Sequence, residues 1–208
     1  VTSWPDVARA WSARALRDVD AGATAALAKD IVKGAVSRDD KARAILAWMR
    51  ANLRYTGLEL GESAWVPFDP AEVVRRKYGD CKDLSLLLVT LLRGAGVAAD
   101  VALVDSSGYV DVDDRVPGLS FFDHAIVRLR PENGPAVWLD PTAPLLAYGE
   151  VFASLLGRKA LIAADGGDLA VISATAGSVV DIDVVVDLKD DGRAHFRRVR
   201  TSDGALFG

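Results

Sequence analysis

Tyr78-Gly79-Asp80-Cys81-Lys82-Asp83-Leu84-Ser85-Leu86-Leu87-Leu88-Val89-Thr90-Leu91-Leu92 decides how the rest of this 208-residue chain is read. Its single cysteine stands where a Gly-Asp turn runs into an apolar helix. Leu84, Leu87, Leu88, Leu91 and Leu92 recur at helical spacing, and Cys81 falls on the same face one turn earlier. Leu86 and Val89 make the opposite side apolar too, so the helix is expected to be buried nearly all round. Asp80 suits the N-cap, and Asp83 at the third position completes something close to a capping box. Both aspartates therefore read as caps, and Lys82 as a solvated side chain. A cysteine at a helix N-terminus faces unpaired N–H groups and the positive end of the helix dipole, which favour a thiolate.

Around this helix the chain divides in two. Before it, Ser3-Trp4-Pro5-Asp6 opens a helix with Val7, Ala8, Trp11 and Ala15 on its apolar face. A second helical stretch covers about residues 23–35. A third begins at Ser37, carries Ala44, Ile45, Trp48 and Met49, and ends near Leu53. Residues 55–65 read as irregular, and Asp69-Pro70 starts a short helix ending in Arg75-Arg76-Lys77. After Gly94-Ala95-Gly96 the period changes to two. Residues 97–104 and 121–130 read as strands, with an acidic loop at 105–118 between them. Pro131 to Pro135 reads as a hairpin turn, and Val137-Trp138-Leu139-Asp140 as the return strand. Residues 159–164 and 169–172 are further apolar runs. From Asp181 a self-contained hairpin turns at Lys189-Asp190-Asp191-Gly192.

Half of the residues are hydrophobic, enough for a full core without disulfides. A net charge of −4 argues against nucleic acid as the main partner. One cysteine excludes an internal disulfide and a multi-cysteine zinc site. No apolar run is long enough to span a membrane, and no secretory signal is legible. The acidic loop lacks the spacing of a calcium-binding EF-hand, so no metal is expected.

Of two histidines, His124 lies in a strand and His195 in the C-terminal hairpin, where it reads as surface. By alternation His124 shares a face with Phe122 and Ile126, expected to meet the Cys81 helix. Asp140 ends the next strand, and cross-strand neighbours lie roughly 5 Å apart, within reach of an imidazole. The order Cys81, His124, Asp140 fits nucleophile, base and orienting carboxylate. Each has a plainer reading: a buried small hydrophobe, a half-buried strand histidine, a turn-initiating aspartate.

Together, Tyr78-Gly79-Asp80-Cys81-Lys82-Asp83, Phe122-Asp123-His124-Ala125 and Trp138-Leu139-Asp140-Pro141-Thr142 resemble the three core motifs of transglutaminase-like proteins. The likeness is to the bacterial subgroup whose core sits between β-rich domains. It implies an α+β, papain-like core in which N-terminal helices and the nucleophile helix pack on an antiparallel sheet. It implies catalysis by Cys81, His124 and Asp140 without a cofactor, through a thioester formed on an amide of a protein or peptide. The acyl group then passes to water or an amine. The N–H of Cys81 is expected in the oxyanion hole, with the indole of Trp65 as a second candidate donor. The catalytic domain is expected over residues 1–178, with residues 179–208 opening a cut-short β-rich domain. Exported members imply a periplasmic or extracellular place. Two other readings stand beside this one: a catalytically silent peptide-binding module of the same fold, and an arylamine N-acetyltransferase-like enzyme.

Overall fold

The computed structural model describes residues 2–16, 21–58, 61–107, 111–132, 134–173 and 179–203. Parts of the acidic loop and of the 131–135 turn, and the expected domain boundary at residue 178, lie outside the described residues.

Local capping chemistry starts each N-terminal helix whose cap is described. Helix α1 (Trp4–Ala15) is capped by Ser3 Oγ, which accepts from the Asp6 N–H, and has Pro5 in its first turn. Helix α2 is Ala21–Ile31. Helix α3 (Arg38–Asn52) takes the same type of cap from Ser37, and buries Ala42, Ile45, Leu46 and Met49. Its inward stripe is therefore rotated from the expected one, leaving Ala44 and Trp48 half-buried. Helix α4 (Pro70–Arg76) starts on Asp69 and stops at Lys77, whose left-handed φ of 62° turns the chain out of the helix.

A short strand overlaps the first residue of the segment expected to be irregular. Arg54–Tyr55 (β1) pairs in parallel with Tyr78–Gly79 (β2), which pins the chain just ahead of Cys81. Two-residue strands carry no legible alternation, so periodicity misses them. Gly61–Ala64 follows as a 3-10 turn.

Helix α5 (Cys81–Gly94) has every residue from Cys81 to Leu92 buried. Asp80 Oδ1 accepts from the N–H groups of Lys82 (2.9 Å) and Asp83 (3.1 Å). Asp83 Oδ2 accepts from the Asp80 N–H at 3.2 Å, completing the capping box. Lys82, expected in solvent, is instead 7% exposed. A helix without a solvent face has nowhere else to put it.

The sheet has the order β5-β4-β3-β6-β7 with every neighbour antiparallel. Its strands are β3 (Ala99–Val104), β4 (His124–Leu129), β5 (Val137–Leu139), β6 (Lys159–Ala163) and β7 (Leu169–Val171). One face, with Ala125, Val127, Leu129, Val101 and Leu161, joins the helices in the main core. The other, with Ala102, Val104, Ile126, Trp138 and Ile162, packs beneath Val151 and Leu155. The expected facing of β4 is thus corrected: Ile126 points away from α5, and Ala125 and Val127 meet it. The pattern misleads because Phe121 belongs to a 3-10 turn (Leu119–Phe121), and the strand begins only at His124. Helices on one side of an antiparallel sheet make the expected α+β class.

Among the described residues, strands β8 (Val179–Leu188) and β9 (Ala194–Asp203) pair only with each other, with Ile182, Val184, Val186, Leu188 and Phe196 exposed.

Gly79 shows how tightly the mount of α5 is built. A Cβ there would stand 2.6 Å from the Asp83 Cβ. Gly79→Ala should displace Asp83 from the capping box and lower stability by about 1–3 kcal/mol, read from urea unfolding. An unchanged unfolding midpoint would show that the box relaxes without cost.

Candidate active site

Three chain segments end at one place. Cys81 is the first residue of α5, His124 the first of β4, and Asp140 follows the last residue of β5. Ser85, one turn beyond Cys81, donates its hydroxyl to the Ala125 carbonyl at 2.9 Å. That bond fixes α5 on β4 one residue from His124. The register Val127↔Leu139 carries Asp140 level with Ile126, two residues along from His124.

His124 Nε2 lies 2.9 Å from Asp140 Oδ2. The other carboxylate oxygen, Oδ1, accepts from the Thr142 N–H (2.9 Å) and hydroxyl (2.7 Å). Asp140 therefore does what both sequence readings ask: one oxygen holds a turn and the other holds the imidazole. The imidazole also hydrogen-bonds Cys81. With Nε2 on Asp140, Nδ1 is the nitrogen on the thiol side.

Burial works against a charged His124, but its hydrogen bonds to Asp140 and Cys81 and their attraction for the cation win. The imidazole is pushed up to about 10, so it is an imidazolium at neutral pH.

Cys81 is 3% exposed, at the base of a cavity of about 260 Å³ that His124, Lys82 and Asp123 also line. Trp11, Trp65, Leu119 and Phe122 form its apolar wall. Trp65 has about half its surface in solvent (52%) and also walls an adjoining hollow with Trp11, Arg14 and Glu62. The sequence picks out Cys81, His124, Asp140 and Trp65, and the structure gathers the first three and sets Trp65 on the cavity wall. His195 lies on the exposed hairpin. Among the described residues, no group of three or more His, Cys, Asp or Glu side chains is placed to hold a metal.

Sequence reasoning misses the ionic frame around the cap. Lys82 Nζ sits 2.9 Å from Asp80 Oδ2, with both side chains buried. Asp83 meets Arg76, whose guanidinium lies 4.1 Å from the Phe68 ring centroid and 4.7 Å from that of Tyr78. The legible signal was the helix itself: a lysine inside a helix buried all round must find an internal partner.

The sequence profile of the transglutaminase-like superfamily matches residues 25–126, a span that includes Cys81 and His124. Over those residues the chain carries a transglutaminase-like core. Among solved structures, a provisionally named protease of Parabacteroides distasonis ATCC 8503 aligns over 84% of this chain with a TM-score of 0.64 and 17% identity. At that identity the likeness speaks for the fold alone. The alignment covers 32% of the Parabacteroides chain, so the present sequence spans about a third of it. A provisionally named cysteine protease of Cytophaga hutchinsonii aligns over 90% of this chain and 53% of its own, with 15% identity and a TM-score of 0.46. Legionella pneumophila LapG aligns over 62% and 77%, with 12% identity and a TM-score of 0.41. No curated protein matches the chain.

Because the folded His124 titrates above its ordinary value of 6.5, its charge stabilises the transglutaminase-like core fully below that pH. The contribution is lost as pH rises through about 10. Wild type should therefore be more stable than His124→Gln at pH 6, with the gap closing by pH 10 in thermal melts. A gap independent of pH would assign the effect to packing.

Proposed function

We propose that this chain is a cysteine-dependent enzyme that opens amide bonds of protein or peptide substrates through a thioester. Cys81 is the nucleophile, His124 its proton partner and Asp140 the carboxylate that orients the imidazole. The observation that carries the reading is the line of hydrogen bonds from the thiol through His124 to Asp140, at a helix N-terminus and open to a cavity.

In this mechanism the imidazolium and the helix N-terminus hold Cys81 as thiolate. The sulfur attacks the amide carbonyl, and the N–H of Cys81 receives the developing oxyanion. His124 hands its proton to the departing amine, leaving the acyl group on sulfur. A water deprotonated by His124 then cleaves the thioester, returning the thiol and releasing the acid. Hydrolysis or deamidation is preferred over transfer to an amine. Trp65 is the candidate second oxyanion donor and the wall of the acyl groove. The name carried by the Parabacteroides structure points the same way, as does the family's chemistry. Work outside the cytoplasm belongs to the same proposal, on the resemblance alone. The hairpin from Val179 is taken as a unit apart from the catalytic domain, since among the described residues its strands pair only with each other.

Iodoacetamide should alkylate Cys81 at pH 6–7 at a rate that His124→Ala lowers at least tenfold. A rate that only follows hydroxide, indifferent to His124, would sink the enzyme reading. Glutamine-containing peptides incubated with and without an added primary amine should show hydrolysis or deamidation in both by mass spectrometry. Cys81→Ala should abolish it. Trp65→Phe keeps the ring and removes the N–H, and should cost about 10²–10³-fold in kcat with little change in KM.

A further inference from the structure

Lys82 is the residue whose placement the proposed chemistry leaves unused. It follows the nucleophile directly, lines the same cavity as Cys81 and His124, and is nearly excluded from solvent. Burying an ammonium beside a carboxylate is costly, and the mutual attraction of a buried pair often fails to repay the desolvation. Helix capping does not require it. Serine at an N-cap accepts the same N–H groups and carries no charge.

The acidic cap, however, creates a problem for the thiol. The Asp80 carboxylate is on the residue next to Cys81, and a like charge at that range disfavours a thiolate. Among the described residues, the charged and titratable groups around Cys81 at the cavity and the start of α5 include the following. His124 faces it from β4, with Asp140 behind the imidazole. Asp123 lies on the cavity wall. On the helix's own first turn are Asp80, Lys82 and Asp83, and Arg76 of α4 meets Asp83. Each cap aspartate thus has its own cation.

We propose that Lys82 is an electrostatic positioning residue. By cancelling Asp80 it lets the helix carry a strong acidic cap without opposing the negative sulfur of the thiolate–imidazolium pair. This rests on the reading of Cys81 as nucleophile, and nothing else in the proposed function depends on it.

Alkylation of Cys81 by iodoacetamide across pH 5–9 tests the idea without a substrate. Lys82→Met should lower the rate at pH 6 by about tenfold or more and move the profile to higher pH, since a nearby opposite charge, here the one removed, is worth about one to three pH units. Lys82→Arg should keep the wild-type profile. The decisive variant is Asp80→Ser with Lys82→Met, which keeps a cap and removes both charges. It should recover most of the lost rate, which a purely structural role for the ion pair would not allow. Should Lys82→Met fail to fold, as judged by circular dichroism, Asp80→Ser alone gives the answer. With the carboxylate gone and Lys82 kept, the rate at pH 6 should hold or rise, and a fall would overturn the proposal. It is equally overturned if wild type is reactive at pH 6 and Lys82→Met matches it, or if the double variant is no faster than Lys82→Met. An unreactive wild-type thiol would instead strike the nucleophile reading itself.

Discussion

The constraint on which this structure depends is that α5 has no side facing water along its first twelve residues. Leu84, Leu87, Leu88, Leu91 and Leu92 seat it in the main core, and Leu86 and Val89 are buried as well. A helix held this way cannot roll or slide without opening the core, so its first residue is fixed in space. Every polar group near that end must then find its partner within the protein. The capping box, the Ser85 hydroxyl on Ala125 and the paired cations on Asp80 and Asp83 are answers to that one demand.

All three central side chains occupy element ends. Cys81 opens a helix, His124 opens a strand, and Asp140 stands just past another. In the middle of these elements they would be locked into the packed faces of the sheet, as Ala125 and Val127 are. At the ends they meet across a cavity while the elements behind them stay close-packed. The same arrangement decides the electrostatics. Asp140 is only 2% exposed, with one oxygen committed to Thr142 and the other to His124, and so holds the imidazole's charge in a place where water does not screen it.

Much of this was legible because it rests on local rules. The leucine spacing of α5, the serine and aspartate caps and the hairpin from His124 to Asp140 depend on residues close in sequence, and each is where its pattern places it. What stayed hidden depends on distant segments. The two-residue pairing of β1 with β2 leaves no periodic trace. The facing of β4 was inverted because Phe122 looks like part of an alternation that starts only at His124. Lys82 was read by its type, as a solvated cation, when the apolar helix around it already denied it a route to solvent. In that case context outweighed residue preference, and both were present in the same fifteen letters.

His124 and Asp140 are joined through adjacent strands, but both are far along the chain from Cys81, and the register that sets their spacing forms only with the long-range sheet. Non-local pairings of this kind come late because loop closure must precede them. Until that sheet has formed, nothing holds the imidazole beside the thiol. The contact of thiol, imidazole and carboxylate is thus a property of the finished sheet and not of any local segment.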